Sequence, residues 1–392
     1  SEGTESAQRH YYILYRCGTW CCNDGRKVRK VMKILVINFG STSSKLAVYE
    51  DETQTASKSI SYSREQLTGF EKMTDQLPLR RQGVLDWLDE LKLRVTDFDA
   101  ISVRGGVTQP LEPGAYEINQ EMADRLAEAP LLDHPSNMTP MVAWEFTREY
   151  GVPSYIYDPI FDQMTPLAKI TGVPEIRRTH MGHIENMRAV SFKMAAELGK
   201  KVSECNFIIA HLGGGITMCC EEKGRFIDFN DSSNSPYSPE RAGMVPARQF
   251  AKLIYSGKYT ESEITKMITG KGGIYAHLGT ADCREVEQRI ADGDEKARIV
   301  YEGMAYQTAK CIGAFAAVLC GKVDAIILTG GISHSEMFVG WIRERVEFLA
   351  PVKVYPGEFE MESLGLGVLR VLRGEEKAAV YHDDRFEKEK WK

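Results

Sequence analysis

The chain has 392 residues, of which 43% are hydrophobic, and a formal net charge of −6. A chain of this length usually divides into more than one core, so we expect two domains with a cleft between them. The acidic balance argues against the basic face of a nucleic-acid-binding protein, and no run of roughly 20 apolar residues is present to span a membrane. We therefore expect a soluble protein that acts on small molecules.

Residues 1–31 differ in pattern from the rest of the chain. Their last third is basic, and they lack the continuous apolar segment of a secretory signal. Cys17, Cys21 and Cys22 cluster without a second ligand pair, which is a weak indication of zinc. At Met32 a buried-strand run begins, so we expect residues 1–31 to be a disordered leader or an added extension. The other six cysteines lie in apolar stretches, which favours core thiols in the reducing cytoplasm.

From Met32 onward, strand-like and helix-like apolar stretches alternate, which is typical of α/β architecture. The predicted strands are residues 34–37, 46–49, 100–103, 154–157, 207–211, 216–220, 225–229, 325–329 and 352–355. The predicted helices are residues 82–93, 185–198, 295–319, 335–349 and 361–372. Residues 301–319 are apolar on nearly all sides in their second half, so we expect this part of the helix to be buried.

Residues 37–48 and 210–218 repeat one layout, a strand followed by a glycine-rich turn and a second strand. Gly40 and Gly213 stand in matching places. Each copy predicts a hairpin with a permissive turn, and two copies predict a duplicated fold whose turns face each other across a cleft.

Turns of this composition bind phosphate, because backbone N–H groups without Cβ atoms converge on an anion and hydroxyl or lysine side chains complete the site. The predicted nucleotide-binding residues are Gly40, Ser41, Ser43 and Lys45 in the first turn, and Gly213, Gly214 and Gly215 in the second. Either turn alone is more typical of an ordinary hairpin. The two together favour phosphate binding.

A third turn, Gly330, Gly331 and Ile332, follows the apolar strand at 325–329 and precedes a helix. This order lets backbone approach a flat or anionic group such as adenosine. The chain has no P-loop or dinucleotide-binding fingerprint and no protein-kinase motif set.

Five segments, in order, resemble the butyrate kinases of the acetokinase family. They are residues 32–45, 211–215, 238–243, 328–332 and 356–362. The resemblance extends to about Gly374. It implies a duplicated actin-like, ribonuclease H-like ATPase fold, with residues 32–160 and 361–392 in one domain and residues 161–360 in the other.

The resemblance also implies a reaction. ATP or ADP with Mg²⁺ would lie between the domains of a homodimer or higher oligomer, and the γ-phosphoryl group would pass reversibly to a short-chain carboxylate to give an acyl phosphate. A carboxylate needs no strong base, so such a site works by positioning and charge neutralisation.

By resemblance, four residues carry the chemistry. Arg104, at a strand end before two glycines, would hold the acyl carboxylate, and Arg241 would stabilise the phosphoryl oxygens. His183 would hydrogen-bond the transferred group. Asp158 would position magnesium through water or orient the substrate.

The remaining candidates have narrower roles. Asn38 and Glu360 are candidates for the magnesium shell, and His211 belongs to the second nucleotide turn. His134 resembles a further site histidine, although a loop histidine bonded to backbone is a nearly equal alternative. His180, His183 and Glu185 could instead form a metal site.

Two departures leave neighbouring contacts and activity open, because Phe39 and Phe359 stand where the family pattern has Pro and Asn. The alternatives in substrate are propionate, acetate or isobutyrate, since one methylene changes specificity by only about 1–3 kcal/mol. From another class, an actin-like or chaperone-like ATP switch would also use paired glycine turns. A catalytically inactive homologue is a third alternative.

Overall fold

The structure, a computed structural model, describes residues 20–23, 26–70, 72–159, 162–231 and 233–384. The strands are β1 (Trp20–Asn23), β2 (Arg26–Arg29), β3 (Lys33–Phe39), β4 (Ser43–Glu50), β5 (Thr53–Ser61), β6 (Ala100–Arg104), β7 (Ala115–Glu117), β8 (Ser154–Tyr157), β9 (Asn206–Leu212), β10 (Ile216–Glu222), β11 (Arg225–Asn230), β12 (Ala325–Gly330), β13 (Val352–Pro356) and β14 (Ala379–Val380). The α-helices are α1 (Arg64–Leu67), α2 (Leu77–Glu90), α3 (Gln120–Glu128), α4 (Met138–Tyr150), α5 (Pro166–Lys169), α6 (Ile184–Glu197), α7 (Ala247–Ile254), α8 (Glu261–Ile268), α9 (Gly273–Leu278), α10 (Cys283–Ala291), α11 (Glu295–Val318), α12 (Glu336–Val346) and α13 (Glu360–Leu372).

A seven-stranded sheet has the order β14-β7-β8-β6-β3-β4-β5. Strands β3, β4 and β5 form an antiparallel meander, and β6 and β8 then add in parallel beyond β3. The central strands are apolar on both faces because helices cover both sides of the sheet.

A five-stranded sheet repeats this arrangement in the order β11-β10-β9-β12-β13. Strands β9, β10 and β11 form the antiparallel meander, and β12 and β13 add in parallel beyond β9. The order of these five strands matches β5-β4-β3-β6-β8 of the larger sheet. The match confirms the predicted duplicated α/β fold, and it places the two glycine turns at corresponding ends of β3 and β9.

Helices pack on both faces of each sheet. Helices α2 and α4 cover one face of the seven-stranded sheet and α13 covers the other, whereas α11 and α12 lie against the face of the five-stranded sheet opposite α6. Helices α6 and α13 also contact each other. Near the N-termini of these two helices, the Phe359 N–H donates to Asn186 Oδ1 at 2.7 Å, so the two halves of the fold meet there.

All nine predicted strands and the five predicted helices are present, with shifted ends. Strand β5 was not predicted, because it is a polar edge strand in which burial imposes no apolar alternation. The prediction that the second half of the helix at 301–319 is buried was wrong. One face of that second half is exposed, at Gly313, Ala314, Ala317 and Val318, since most residues there are small and need no apolar partner.

Part of the predicted leader, β1 and β2, forms an antiparallel strand pair. The other positions between 1 and 25, with the Cys17 end of the cysteine cluster, lie outside the described residues, and so do the side chains of Cys21 and Cys22. The leader assignment and the domain limits stay predictions, although α13 and β14 do lie with the seven-stranded sheet. Within the described residues, no helix is long and apolar enough to cross a bilayer.

Candidate active site

The first turn connects β3 to β4. The backbone N–H of Gly40 donates to the Ser43 carbonyl at 2.8 Å and closes the turn. Behind it, Arg80 of α2 donates from Nη2 to the Ser41 carbonyl at 3.0 Å and from Nη1 to the Ser43 carbonyl at 2.8 Å. Sequence reasoning missed Arg80, because nothing in the local pattern of α2 distinguishes it from a surface arginine. The turn is thus held from its rear by a residue 37 positions away in the chain.

The second turn connects β9 to β10. Its Gly213 N–H donates to the Gly215 carbonyl at 3.3 Å, and Ser238 Oγ donates to the Gly214 carbonyl at 2.8 Å. The Arg241 guanidinium packs directly on Gly215, where an added Cβ would lie 2.3 Å from Arg241 Cζ. Only glycine leaves that space, so this turn and Arg241 form one unit.

The third turn follows β12. Gly330 has a φ of 90°, and a Cβ there would lie 2.5 Å from the Leu212 carbonyl oxygen, so a side chain is excluded both by conformation and by space. Gly330 and Gly357 exchange two backbone hydrogen bonds of 3.1 Å each. Ile332 is buried in the core of the five-stranded sheet, whereas nothing lies close to the position of a Cβ on Gly331.

A short segment before α13 links the first turn to the third. Lys45 Nζ donates to Glu358 Oε2 at 2.9 Å, and Asn38 Nδ2 donates to Glu360 Oε2 at 3.1 Å. Since Gly357 of the same segment pairs with Gly330, residues flanking two of the three glycine turns meet here. The structure thus brings both predicted magnesium ligands together.

Arg104, at the end of β6, donates from Nε to Glu185 Oε1 at 3.1 Å, the first acidic residue of α6. The Glu185 carboxylate raises the pKa of Arg104 against the effect of burial. Burial, and then the charge of Glu185, raise the pKa of the Glu360 carboxyl. Sequence reasoning considered Glu185 only as a metal ligand, but its observed role is to orient and neutralise Arg104.

Two histidines stack beside the second turn. The rings of His183 and His211 lie 3.7 Å apart and only 6° from parallel. His183 Nδ1 lies 3.0 Å from Thr217 Oγ1, and burial lowers its pKa despite the nearby Glu360 carboxylate. The charges of Arg241 and Arg104 lower its pKa further. Burial, then the neighbouring His183 and Arg241, lower the pKa of His211 to about 3, so it stays neutral.

Asn186, also missed from sequence, determines the tautomer of His211. The Phe359 N–H can only donate, and it bonds Asn186 Oδ1 at 2.7 Å, so the amide nitrogen faces His211 Nδ1 at 2.8 Å. His211 Nδ1 therefore accepts, and its proton is on Nε2, beside Gly213. The same Nδ2 contacts Thr329 Oγ1 at 3.1 Å. Phe359, a departure from the family pattern, still contributes a backbone donor to this network.

Asp158 lies at the end of β8 with a left-handed φ of 45°, an unfavourable conformation for a residue other than glycine. Its buried carboxylate accepts from the Gly114 N–H at 2.9 Å and lies 3.4 Å from Arg188 Nε.

His134 caps the 3₁₀ turn at Pro135–Asn137 and accepts from the Ser136 N–H, which matches the alternative of a loop histidine bonded to backbone. Burial, then the charge of Arg104, lower the pKa of His134. Catalytic roles for Asp158 and His134 stay predictions.

The alternative metal site receives no support from the geometry. His180 packs against the ring of Phe229 at 4.5 Å, whereas His183 stacks on His211. Among the residues that the structure describes, no group of three or more His, Cys, Asp or Glu side chains could hold a metal ion.

The chain is similar in sequence to known proteins. The model of the acetokinase family matches residues 175–355. A probable butyrate kinase from Thermotoga petrophila is 44% identical over 351 residues, which are 89% of this chain and 98% of the relative. A probable butyrate kinase 2 from Caldanaerobacter subterraneus is 43% identical over 90% of this chain and 100% of its own.

A solved structure has the same fold. The acetate kinase of Porphyromonas gingivalis superimposes with a TM-score of 0.70 at 20% identity, over 86% of this chain and 99% of that one. At this identity the likeness concerns the fold, and the sequence relatives decide the family. The chain belongs to the acetokinase family.

Proposed function

We propose that this protein transfers the γ-phosphoryl group of ATP reversibly to a short-chain carboxylate, with butanoate as the preferred acceptor and butanoyl phosphate and ADP as products. One observation carries the proposal: His183 stacks on His211 beside the second glycine turn, Arg241 packs on Gly215 of that turn, and Arg104 pairs with Glu185, two residues after His183. Two cations near these hydrogen-bonding rings suit an anionic acceptor and a phosphoryl group. The names of the sequence relatives support butanoate as the acceptor.

Arg104 would hold the carboxylate. Its Nε is occupied by Glu185, which leaves the two terminal amino groups of the guanidinium for a bidentate pair with the substrate. The bound carboxylate is itself the nucleophile, so alignment with the phosphorus is the main requirement. Glu185 would limit the motion of Arg104 and thereby improve that alignment.

Arg241 and the two histidines would face the transferred group. His183 would donate to a phosphoryl oxygen without adding a fixed charge, because burial favours its neutral form. His211 would donate from Nε2 beside Gly213. Arg241 would then neutralise the charge that develops on the equatorial oxygens.

Asn38 and Glu360 suit magnesium, which takes oxygen ligands and needs only one or two from protein when a nucleotide supplies others. Burial disfavours the charged form of Glu360, and a bound cation would relieve that cost. Bound there, Mg²⁺ would neutralise charge on the polyphosphate. Asp158, fixed by Gly114 and Arg188, would orient ligands at the edge of this site.

Two further proposals concern assembly and location. Helix α7 has no buried residue, and exposed apolar side chains stand before it (Met244, Val245), at its last residue (Ile254) and after it (Tyr255), which supports a homodimer or higher oligomer through this face. The six cysteines whose side chains are described form no disulfide, which supports the cytoplasm.

The test is to trap the acyl phosphate as its hydroxamate. The protein, ATP and Mg²⁺ are incubated with acetate, propionate, butyrate or isobutyrate and hydroxylamine. We expect the highest kcat/KM on butyrate, with about 10-fold or more lost for each missing methylene. ATP hydrolysis without hydroxamate from any acid would instead identify an ATP switch.

A further inference from the structure

Arg80 is a buried cation without an acidic partner. Its side chain is fully buried, and no carboxylate of the described residues pairs with it. Its bonds go to neutral oxygens, and its guanidinium carbon lies 4.4 Å from the Tyr62 ring centroid and 5.6 Å from that of Phe39. Burying a charge is costly unless an opposite charge compensates it. Burial accordingly lowers the pKa of Arg80.

The guanidinium lies behind the first turn. Ser44, which contacts Arg80 at 3.3 Å, pairs with Phe39, whose ring Arg80 covers. Asn38 and Lys45 form the next pair along β3 and β4, so their side chains are on the opposite face of the hairpin. That opposite face contacts Glu358 and Glu360. Arg80 and the proposed nucleotide site are therefore on two sides of a single layer of backbone.

The hydrogen bonds of Arg80 also orient the turn. The Ser41 carbonyl points back at Arg80, and in a planar trans peptide the following N–H points the opposite way. The N–H of Thr42 is therefore directed away from the guanidinium. A turn whose carbonyls are held at the rear presents less negative charge and more N–H donors to an approaching anion.

Two other cations near the first turn are already neutralised. Lys45 is paired with Glu358, and Arg104 with Glu185. Arg80 is different, because the aromatic faces and the carbonyls around it supply only partial charges. A phosphate group on the far side of the turn would supply the missing negative charge.

We propose that Arg80 is a positioning residue for the first turn: it holds the carbonyls of Ser41 and Ser43 away from the ligand, and its unpaired charge attracts the polyphosphate of ATP through the turn. This role rests on the proposed function, because it takes the first turn as a phosphate site. Phe39, which replaces the proline of the family pattern, would then act by covering the buried guanidinium.

Substitution of Arg80 tests this role, and the same substitution at the neighbouring Arg81 serves as the control. Arg80→Met removes both the charge and the planar guanidinium that bonds two carbonyls. Arg80→Lys keeps the charge but cannot hold both carbonyls at once. The matched control is Arg81→Met, since Arg81 is on the same helix but pairs with Glu145 and Glu149 at the surface. Each variant is assayed for KM of ATP, KM of butyrate and kcat, and for ATP affinity by calorimetry.

We expect Arg80→Met to weaken ATP binding by about 10- to 100-fold and Arg80→Lys by about 10-fold, with the KM of butyrate within about 2-fold of the parent. Arg81→Met should bind ATP as the parent does. A purely structural role would lower the melting temperature of the Arg80 variants without selectively weakening ATP binding. That result would overturn the proposal.

Two further comparisons distinguish a failure of the proposed function from a failure of the role proposed for Arg80. If the parent forms no acyl hydroxamate, the proposed function fails, but calorimetry with ATP still compares Arg80 with Arg81. If Arg80→Met does not fold, Arg80→Lys decides by the same comparison, because it keeps the charge and most of the packing. Unchanged ATP affinity in a folded Arg80→Lys variant, with inorganic phosphate also binding as in the parent, counts against the inference.

Discussion

The two glycine turns occupy corresponding places in a duplicated fold but handle charge in opposite ways. Behind the first turn lies a buried guanidinium, that of Arg80, bonded to the turn's own carbonyls. Across the second turn lies Arg241, half-buried and packed on Gly215. The first turn has one glycine and three hydroxyl residues, whereas the second has three consecutive glycines.

The difference teaches how one supersecondary unit can serve two purposes. A cation behind the backbone cannot move toward a ligand, so it suits static binding of a polyphosphate. A cation in front of the backbone can reach a group in transfer, but it needs space that only glycine leaves. The first turn, with its cation behind the backbone, therefore needs only one glycine. The second turn, with its cation in front of the backbone, needs three.

The largest effect expected from breaking this comparison is at Arg241. Arg241→Ala should lower kcat by about 10²- to 10³-fold, because charge in the transition state loses a partner, while ATP affinity changes little. Arg104→Ala should lower kcat similarly and also raise the KM of butyrate. Steady-state hydroxamate assays of both variants measure kcat and the KM of butyrate, and circular dichroism checks that both variants are folded. Near-normal turnover in both would remove these arginines from the mechanism.

A smaller effect should distinguish the turns themselves. Gly215→Ala places a Cβ 2.3 Å from Arg241 Cζ, so the guanidinium must move, and we expect kcat to fall about 10- to 100-fold. Gly40→Ala is the matched change in the first turn. Its Cβ would lie 3.4 Å from Ser43 Oγ, an ordinary contact, so the turn should keep its shape and kcat at saturating ATP should stay within about 2-fold. Equal losses in the two variants would contradict the division between them.

The smallest effect concerns the strands behind the turns. β10 of the second half carries a fully buried acid, Glu221, which accepts from Ser191 Oγ at 2.6 Å. Burial raises the pKa of Glu221 to about 7, although Arg188, shared with Asp158, and Ser191 oppose the shift. A carboxyl that holds its proton more tightly when folded stabilises the fold at low pH. That contribution is lost as the pH rises from about 4.5 through about 7.

Glu221→Gln should remove this dependence. Relative to the variant, the parent should lose about 2 kcal/mol of unfolding free energy between pH 5 and pH 8. Urea titrations at four pH values measure the difference, and the histidines near the site cancel because they are common to both proteins. Parallel curves for parent and variant would show that Glu221 titrates at an ordinary pKa.

Much of the architecture was predictable because burial on both faces requires continuous apolar runs. Strands β3 and β9 are such runs, and glycine follows each of them directly, so the hairpins and the duplication could be predicted from pattern alone. Strand β5 could not, since an edge strand has no obligatory pattern. Arg104 and Arg241 could be predicted through the family motifs, but the ion pair of Arg104 with Glu185 and the packing of Arg241 on Gly215 could not.

The sequence by itself determined the α/β class, the paired glycine turns and the family. Tight turns favour glycine and buried strands favour apolar residues, so these features can be recognised from short segments of sequence. Tertiary structure alone decided which charges meet. Arg80 reaches Ser43 across 37 positions, and Asn186 reaches Phe359 across 173. Electrostatic and hydrogen-bond energies depend on distances of a few ångströms, which spacing along a chain does not specify.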